Sequence, residues 1–489
     1  MDINFDLLSN AEKIAVLSKP YIMIEAPAGF GKTHTICECI ELLPDDQTQL
    51  ILTHTHAGIA SLQQKLESRG VPHHKYSIET ITGLAQRVVL SFLMNKPTYN
   101  QNDGTNYFPY IIQTATAIMD SCLIKSMFTC NFNGMFVDEY QDCTNDMHNF
   151  LMKFINLFPI RVLGDELQGI FNFGNNKTVN FSQLKKVEKY QLSTPWRWRI
   201  DGNNRKLGEW ILHARKALTN KSKCINIPFK NYESYGVYCY ATPGWQEKIE
   251  LIKQFLSDAE KEEMSILILT STFLNANKRA QLKAIIDQKN SIALIEPFDE
   301  QSYYQTTLSI DNIVNRQTCE PHSFIKILSE LSFTSKSINE WFNKNGNLIQ
   351  KRQRTPLCDT FSTMTSEIHS NPSYKNIYDF LNFFRFTAKG KCLRHNLFHQ
   401  VIKSLDLAHQ NGTTALEEMT TLKNKERRMG RKAEMANIGT TLLTKGLEYD
   451  IVIIANSEEL KDRNNFYVAI SRACKKLYIL STENKFSVM

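Results

Sequence analysis

Short apolar runs, each followed by small or charged residues, mark the first third of the chain. The run Tyr21–Ile24 predicts a buried strand. A loop with Gly29 and Gly31 follows it, and the pattern then predicts a helix that begins near Lys32 and Thr33. The segment is therefore expected to form a strand, a glycine-containing loop and a helix, in that order.

Two later short segments predict strands that are followed by polar side chains. Met135–Val137 is followed at once by Asp138 and Glu139, and Arg161–Leu163 is followed by a short segment that contains Gln168. Adjacent acids after a strand are often only a solvated turn. A strand that aims them at a phosphate-binding loop would instead give them a chemical role.

Helical periodicity dominates part of the second half of the chain, as in FIKILSELSF and NIYDFLNFFRF. The basic run LKNKERRMGRK follows these segments. Such a run is most often a solvated helix face or loop, and a contact with DNA or a partner is the alternative. Earlier in the chain, NKPTYNQNDGTNYFP predicts a polar break that leaves room only for a small inserted subdomain.

Composition narrows the class of protein. A chain of 489 residues is too long for one hydrophobic core, so several domains are expected. Its eleven cysteines include no CxxC pair, which indicates reduced thiols in a cytoplasm. No apolar run reaches the roughly 18 residues of a membrane span. The net charge of +7 fits either simple solubility or attraction to a polyanion.

The glycine-containing loop has the chemistry of a phosphate cradle. Without a Cβ, Gly29 and Gly31 let the backbone turn its N–H groups toward phosphate oxygens at the positive end of a helix dipole. Lys32 would reach the β- and γ-phosphates, and the Thr33 hydroxyl would hold Mg²⁺. Ala26 stands at the first glycine position of the usual pattern. A lone glycine-rich loop is usually only a turn, but the GKT sequence after a strand favours nucleotide binding.

The polar ends of the two later strands extend this hypothesis. Asp138 can help to hold Mg²⁺, and Glu139 can polarise a water for attack on the γ-phosphate. Gln168 can sense the γ-phosphate. Phe171 and Phe173 alternate in an extended segment and could present their rings to a ligand, although core filling is the simpler reading.

These segments carry a family resemblance. APAGFGKT, VDEYQD and GDELQGIF resemble the ATP-site motifs of the UvrD/Rep/PcrA-like superfamily-one DNA helicases. IETITGLAQRV, LSTPWRW, TTLLTKGLEYDIVII and FYVAISRACKKL resemble further motifs of that family, in the family's order. The resemblance implies an α/β protein with two RecA-like P-loop NTPase domains, each with a parallel sheet and each interrupted by a small, mainly helical insert.

The resemblance also implies domain boundaries. The expected ranges are 1–88 and 131–180 for the first RecA-like domain, 89–130 for its insert, 181–297 and 435–489 for the second RecA-like domain, and 298–434 for its helical insert.

Roles in ATP hydrolysis follow from the resemblance. Lys32, Thr33, Asp138, Glu139 and Gln168 would lie on the first RecA-like domain, with ATP and Mg²⁺ as cofactors.

The second RecA-like domain would supply the remaining groups. Arg197 and Arg472 would act as arginine fingers on the charge that develops at the γ-phosphoryl oxygens. Trp196 would stack on adenine, and Glu448, after Gly446, would bind the ribose.

The implied substrate is single-stranded DNA and its junctions with duplex. Phe173 matches a base-stacking aromatic with Phe171 as its neighbour, and Thr55 and Thr80 match hydroxyls that contact the DNA backbone. The resemblance thus implies a cytoplasmic enzyme with no membrane segment that translocates from 3′ to 5′ and unwinds duplex.

Four positions depart from the family pattern. Glu12 stands where the family has the glutamine that reads adenine, which leaves the choice between ATP and GTP open. His54, Gly174 and Leu442 replace an aromatic, an arginine and a histidine. A weaker or more partner-dependent grip on DNA is therefore expected.

Two classes of function stay open on the sequence. One is a free-standing translocase and helicase, such as a phage- or plasmid-encoded repair enzyme. The other is an ATPase subunit that senses DNA or nucleotide and regulates a nuclease, because the compact chain also resembles the helicase component of Gabija-type phage defence, which partners an OLD-family nuclease. RNA as the bound strand is a more distant alternative.

Overall fold

A computed structural model of the chain describes residues 10–92, 104–170, 178–179, 181, 187–219, 225–228, 232–242, 244–270, 276–287, 291–297, 301–316, 319–349, 356–429, 434–482 and 485–488. The chain divides into two compact units. The larger unit contains residues 1–271 and 440–489, and the smaller unit contains residues 272–439. Within the larger unit we call residues 10–191 the first lobe, and residues 192–271 with 440–489 the second lobe.

The first lobe is built on a six-stranded parallel sheet with the order β3-β2-β4-β5-β1-β6. Its interior strands are mainly apolar and buried because helices cover both faces of a parallel sheet. The strands are β1 (Tyr21–Glu25), β2 (Gln49–Thr53), β3 (Tyr76–Thr80), β4 (Gly134–Val137), β5 (Ile160–Gly164) and β6 (Glu188–Gln191). The helices are α1 (Asn10–Ser18), α2 (Lys32–Leu42), α3 (His56–Ser68), α4 (Ile81–Phe92), α5 (Gly104–Ile118), α6 (Cys122–Asn131) and α7 (Asn145–Met152).

The second sheet also has six strands, in the order β10-β11-β9-β12-β13-β8, and its described pairs are parallel. The strands are β8 (Val237–Ala241), β9 (Ile266–Thr270), β10 (Ala293–Leu294), β11 (Ala436–Thr440), β12 (Tyr449–Ile454) and β13 (Ala473–Ser481). The second lobe adds α8 (Arg205–Thr219), α9 (Trp245–Lys261) and α18 (Arg463–Ile470). A separate antiparallel pair joins β7 (Ile225–Pro228) to β14 (Lys485–Val488).

The smaller unit is mainly helical and has its own core. Tyr303, Phe324, Phe361, Phe380 and Phe384 are among the buried side chains of that core, with ring centroids 4.5 Å apart between Phe324 and Phe380. Its helices are α10 (Ala276–Ile286), α11 (Gln301–Arg316), α12 (Pro321–Glu330), α13 (Ser335–Trp341), α14 (Pro356–Ser370), α15 (Tyr374–Asn382), α16 (His395–Asn411) and α17 (Ala415–Met429).

The predicted α/β class with two parallel sheets is confirmed, and so are the three strands predicted around the candidate site. The predicted polar break is wrong in part, because α5 begins inside it at Gly104. Tyr107 and Ile111 lie four residues apart on this helix and are buried in the core of the first lobe, which stabilises the helix. The sequence pattern did not predict this helix because polar residues flank these buried positions. The predicted domain boundaries remain predictions.

Among the described residues, no helix is both long and apolar enough to cross a membrane.

Candidate nucleotide site

The loop between β1 and α2 has the backbone of a phosphate cradle. Gly29 and Gly31 both have left-handed backbone angles, with φ of 76° and 83°. Helix α2 begins at Lys32 directly after Gly31, which has no side chain to cap the helix, so the N–H groups of the first turn are available to an anion. Lys32 Nζ donates to the Ala26 carbonyl at 3.4 Å and lies 3.3 Å from Glu139 Oε1, and Thr33 is half-buried. The predicted lysine and base are thus neighbours.

The two acids after β4 occupy different electrostatic environments. Asp138 is buried, and burial together with the charge of Glu139 raises its pKa to about 6. Burial would also raise the pKa of Glu139, but Lys32 and Lys445 outweigh it and hold that pKa below its ordinary value. Glu139 has a left-handed φ of 54° that turns it out of the strand direction. Adjacent carboxylates with opposite pKa shifts are suited to different tasks.

A hydrogen-bonded chain joins the acids to the segment after β5. Gln141 Nε2 donates to Glu139 Oε2, and Gln141 Oε1 accepts the N–H of Asp165 at 3.0 Å. Asp165 Oδ2 in turn accepts from Gln168 Nε2 at 3.0 Å. The predicted γ-phosphate sensor and the predicted base therefore share one network.

The second lobe contacts the phosphate loop directly. The N–H of Arg197 donates to the Gly29 carbonyl at 3.0 Å, and the N–H of Ala28 donates to the Tyr467 hydroxyl at 3.1 Å. Trp198 is buried against Gly29, where a Cβ would lie 2.9 Å from the indole ring. Its Nε1 donates to the Ala473 carbonyl at 2.8 Å.

The two predicted arginine fingers differ in their surroundings. Arg197 Nη2 lies 2.6 Å from Glu448 Oε1, and Nη1 donates to the Ser471 carbonyl. Burial raises the pKa of Glu448, but Arg197 outweighs it and lowers that pKa.

Arg472 is fully buried within the second lobe. It donates to the carbonyls of Val468 and Leu447 at 3.0 and 3.2 Å and to the Ser471 hydroxyl at 2.9 Å. Burial lowers the pKa of Arg472 to about 10.

The remaining predicted nucleotide contacts lie in the second lobe near these arginines. Trp196 is half-buried, with Arg199 Cζ 5.8 Å from its ring centroid. Gly446 has a left-handed φ of 86° in the turn that leads to Glu448. Their contacts with adenine and ribose remain predictions.

The predicted DNA contacts are only partly described. The Thr55 and Thr80 hydroxyls accept the N–H groups of Gly58 and Gly83 at 3.0 and 2.9 Å, so both cap a helix. Phe171 and Phe173 lie outside the described residues. The DNA-binding roles of all four residues stay predictions.

Three of the four departures from the family pattern, Glu12, His54 and Leu442, lie in the described residues, and Gly174 lies outside them. The hydroxyl of Tyr190 donates to Glu12. Burial, assisted by the charge of Lys445, lowers the pKa of His54 to about 4, so this ring is neutral near Glu139 at neutral pH.

Three residues at the site had no role in the sequence analysis. Lys445, Arg215 and Asn464, all from the second lobe, contact the segment 165–169 of the first lobe. Lys445 lies in the KGLE motif and Asn464 just before the FYVAISRA motif. Arg215 follows Leu207 and Ile211 at intervals of four on the buried face of α8. A charged residue on this apolar face was the feature of the sequence that could have indicated a role for Arg215.

Comparison with known families agrees with this geometry. The UvrD-like helicase C-terminal domain matches residues 144–484, and an AAA domain matches residues 10–174. The first match spans more than half of the chain. The chain belongs to the UvrD-like helicases. The family resemblance is thereby confirmed, and the protein is a UvrD-like helicase ATPase with a P-loop nucleotide-binding domain.

Individual relatives are distant from this UvrD-like helicase. The Gabija protein GajB of Bacillus cereus (strain VD045) is 22% identical over 393 residues, which cover 77% of this chain and 69% of GajB. A solved structure of the Escherichia coli DEAH/RHA helicase HrpB aligns with a TM-score of 0.31 and 10% identity, and the alignment covers 59% of this chain and 30% of HrpB.

Proposed function

We propose that this UvrD-like helicase ATPase uses ATP to translocate along single-stranded DNA from 3′ to 5′ and to separate strands at duplex junctions. One observation above all others supports a coupling between ATP use and translocation. Side chains of the second lobe reach the loops that follow β1, β4 and β5 of the first lobe. A phosphate bound on these loops therefore lies where the two lobes meet.

The proposal gives each catalytic group one role, which its position beside the phosphate loop supports. Lys32 binds phosphate, Glu139 orients the attacking water, Gln168 senses the γ-phosphate, and Arg197 and Arg472 stabilise charge in the transition state. Thr33 and Asp138 offer the hydroxyl and carboxylate oxygens that Mg²⁺ prefers, and a bound cation would lower the raised pKa of Asp138. Mg²⁺ would supply charge neutralisation at the phosphates.

The test of translocation is Phe173→Ala. The ring is proposed to stack on a base, and each such stack contributes about 1–3 kcal/mol to strand binding. The variant should lose most of the stimulation of ATP turnover by single-stranded DNA, with its affinity for ATP unchanged. If the variant melts at the parental temperature and keeps full DNA stimulation, Phe173 has no part in coupling.

The match to GajB favours a second candidate function, a helicase subunit of a Gabija-type defence system with an OLD-family nuclease partner. The alignment covers 77% of this chain, so it includes at least part of each lobe and of the helical unit. A search for an OLD-family nuclease gene beside the gene of this chain, followed by co-expression of the two proteins and size-exclusion chromatography, tests it. A stable complex with nucleotide-dependent nuclease activity would favour the regulatory function, and elution of the two proteins apart would favour the free enzyme.

A further inference from the structure

The segment 165–169 of the first lobe carries its own internal hydrogen bonds. It leaves β5 at Asp165 and forms one 3₁₀ turn, Glu166–Gln168. Asp165 Oδ1 accepts the N–H of Leu167 at 3.3 Å, and Oδ2 accepts the side-chain amide of Gln168 at 3.0 Å. The Gln168 side chain is thus oriented by the residue three positions earlier.

Arg215 holds the beginning of this segment from α8. Its Nη2 lies 3.0 Å from Asp165 Oδ1 and 2.7 Å from Glu25 Oε1, at the ends of two adjacent strands, β5 and β1. Asp165 is fully buried, so this charged contact is weakly screened by solvent.

Lys445 holds the end of the turn. Its Nζ donates to the main-chain carbonyl of Gln168 at 2.7 Å and to both oxygens of Asp142 at 2.7 and 2.6 Å. The Lys445 and Asp142 side chains are 9% and 5% exposed. One ammonium group therefore joins the loop after β4 to the predicted sensor.

Asn464 supplies the third contact, from the first turn of α18. Its Nδ2 donates to the carbonyls of Gly169 and Glu166 at 2.7 and 3.3 Å. These carbonyls lie at the two ends of the 3₁₀ turn, so a single side-chain amide of the second lobe bridges both ends of the turn.

Resting on the proposed function, we infer that Arg215, Lys445 and Asn464 form an interlobe clasp that positions Gln168 for the γ-phosphate only when the second lobe is docked. All three donors come from the second lobe, and all their acceptors in the segment are in the first lobe. Away from the second lobe, the segment keeps its internal hydrogen bonds and the bond between the Asp165 N–H and Gln141.

The clasp gives these three residues a positioning role and no direct role in the chemistry. The chain continues from Gly169 into Phe171 and Phe173, so the same clasp would transmit lobe docking toward the predicted DNA-stacking residues. In this way the nucleotide sensor and the strand contact would respond to one movement.

Asn464 is the best residue for the test because it is only half-buried and uncharged. Asn464→Ala should lower kcat of the full-length protein about tenfold, the effect of roughly 1.4 kcal/mol, while KM for ATP changes little. Asn464→Asp keeps the size of the side chain but points an acceptor at two carbonyls, so its kcat should fall further than that of Asn464→Ala. A space-filling role would predict the reverse order, with Asn464→Asp near parental activity.

Dependence on the sensor is the second arm of the test. Gln168→Ala should itself lower kcat, and adding Asn464→Ala to it should lower kcat by much less than in the parent. Lys445→Met should lower kcat in both backgrounds, because Lys445 also lowers the pKa of Glu139. Lys476→Met is the matched control, because Lys476 pairs with Glu262 at 2.7 Å elsewhere on the second lobe. It should leave turnover unchanged.

The outcomes separate two failures. Equal losses from Asn464→Ala in the parental and Gln168→Ala backgrounds would overturn the clasp. Parental turnover in Gln168→Ala alone would show that the assignment of the sensor, and with it part of the proposed function, is wrong.

Discussion

At the scale of single residues, the two neighbouring carboxylates of the site are distinguished by their surroundings. Burial raises the pKa of Asp138, whereas two lysines, Lys32 and Lys445, keep Glu139 ionised. An ionised carboxylate beside the phosphate loop is a competent general base at neutral pH, and the neutral amide of glutamine is not. The sequence VDEYQD contains both acids but carries no information on which one has the lower pKa.

Glu139→Gln tests this assignment. The variant should lose about 10²–10⁴-fold in kcat because it cannot accept a proton from the attacking water. It should still bind nucleotide, since Lys32 and the loop amides are unchanged. Single-turnover hydrolysis and titration with a fluorescent ATP analogue measure the two properties.

Glu41→Gln is the control for this change. Glu41 lies on α2 of the same lobe and pairs with Arg69 at 2.5 Å, so the substitution removes an equivalent charge away from the acids after β4. If Glu139→Gln and Glu41→Gln hydrolysed ATP equally fast, another group would be the base.

At the scale of elements, the phosphate loop is shaped by two constraints at once. Gly29 needs a positive φ of 76°, and it also lies against the second lobe, where a Cβ would be 2.9 Å from both Arg197 Cβ and the Trp198 ring. The sequence indicates the first constraint, because glycine tolerates this backbone. The second depends on residues about 170 positions away and becomes visible only in the folded protein.

Gly29→Ala and Gly70→Ala separate these constraints. Gly70 has a similar φ of 70°, but a Cβ there would meet nothing within 4 Å. Both variants should lose about 1–2 kcal/mol of stability from backbone strain. Gly29→Ala alone should also lose most ATP turnover, since its methyl group displaces Arg197 and Trp198. Parental turnover in Gly29→Ala, with Gly70→Ala as the reference for the loss of stability caused by backbone strain alone, would contradict the observed packing.

The predictions of strands and helices from sequence were correct where they depended on a local pattern of residues. The three strands around the site are short and mainly apolar, as is typical of buried parallel strands, and the helix after the glycine loop begins at Lys32 as expected. The contacts of Arg215 and Asn464 with the segment 165–169 were not predicted, because these partners are 50 and about 300 residues away in sequence. Helix α5 was partly missed because its buried residues are surrounded by polar ones.

At the scale of the whole molecule, the candidate nucleotide site belongs to the larger unit alone. All its predicted residues lie between positions 26 and 197 or between 446 and 472. The smaller unit has a separate aromatic core, in which Phe361 is fully buried with its ring 4.1 Å from Trp341. Two compact units with separate cores are expected to unfold with distinct energetics.

Differential scanning calorimetry with nucleotide tests this division. A ligand that binds only folded protein stabilises the unit that binds it, by about 2.7 kcal/mol at a concentration of 100 times Kd. An ATP analogue with Mg²⁺ should therefore raise the melting temperature of the larger unit and leave that of the smaller unit unchanged. Phe361→Ala should lower only the transition of the smaller unit, because losing a buried phenyl ring costs about 3–5 kcal/mol. Lys32→Ala should abolish the nucleotide shift. A single transition that responds to both the nucleotide and Phe361→Ala would instead show that the two units unfold together. Nucleotide binding at the phosphate loop would then stabilise the helical unit as well.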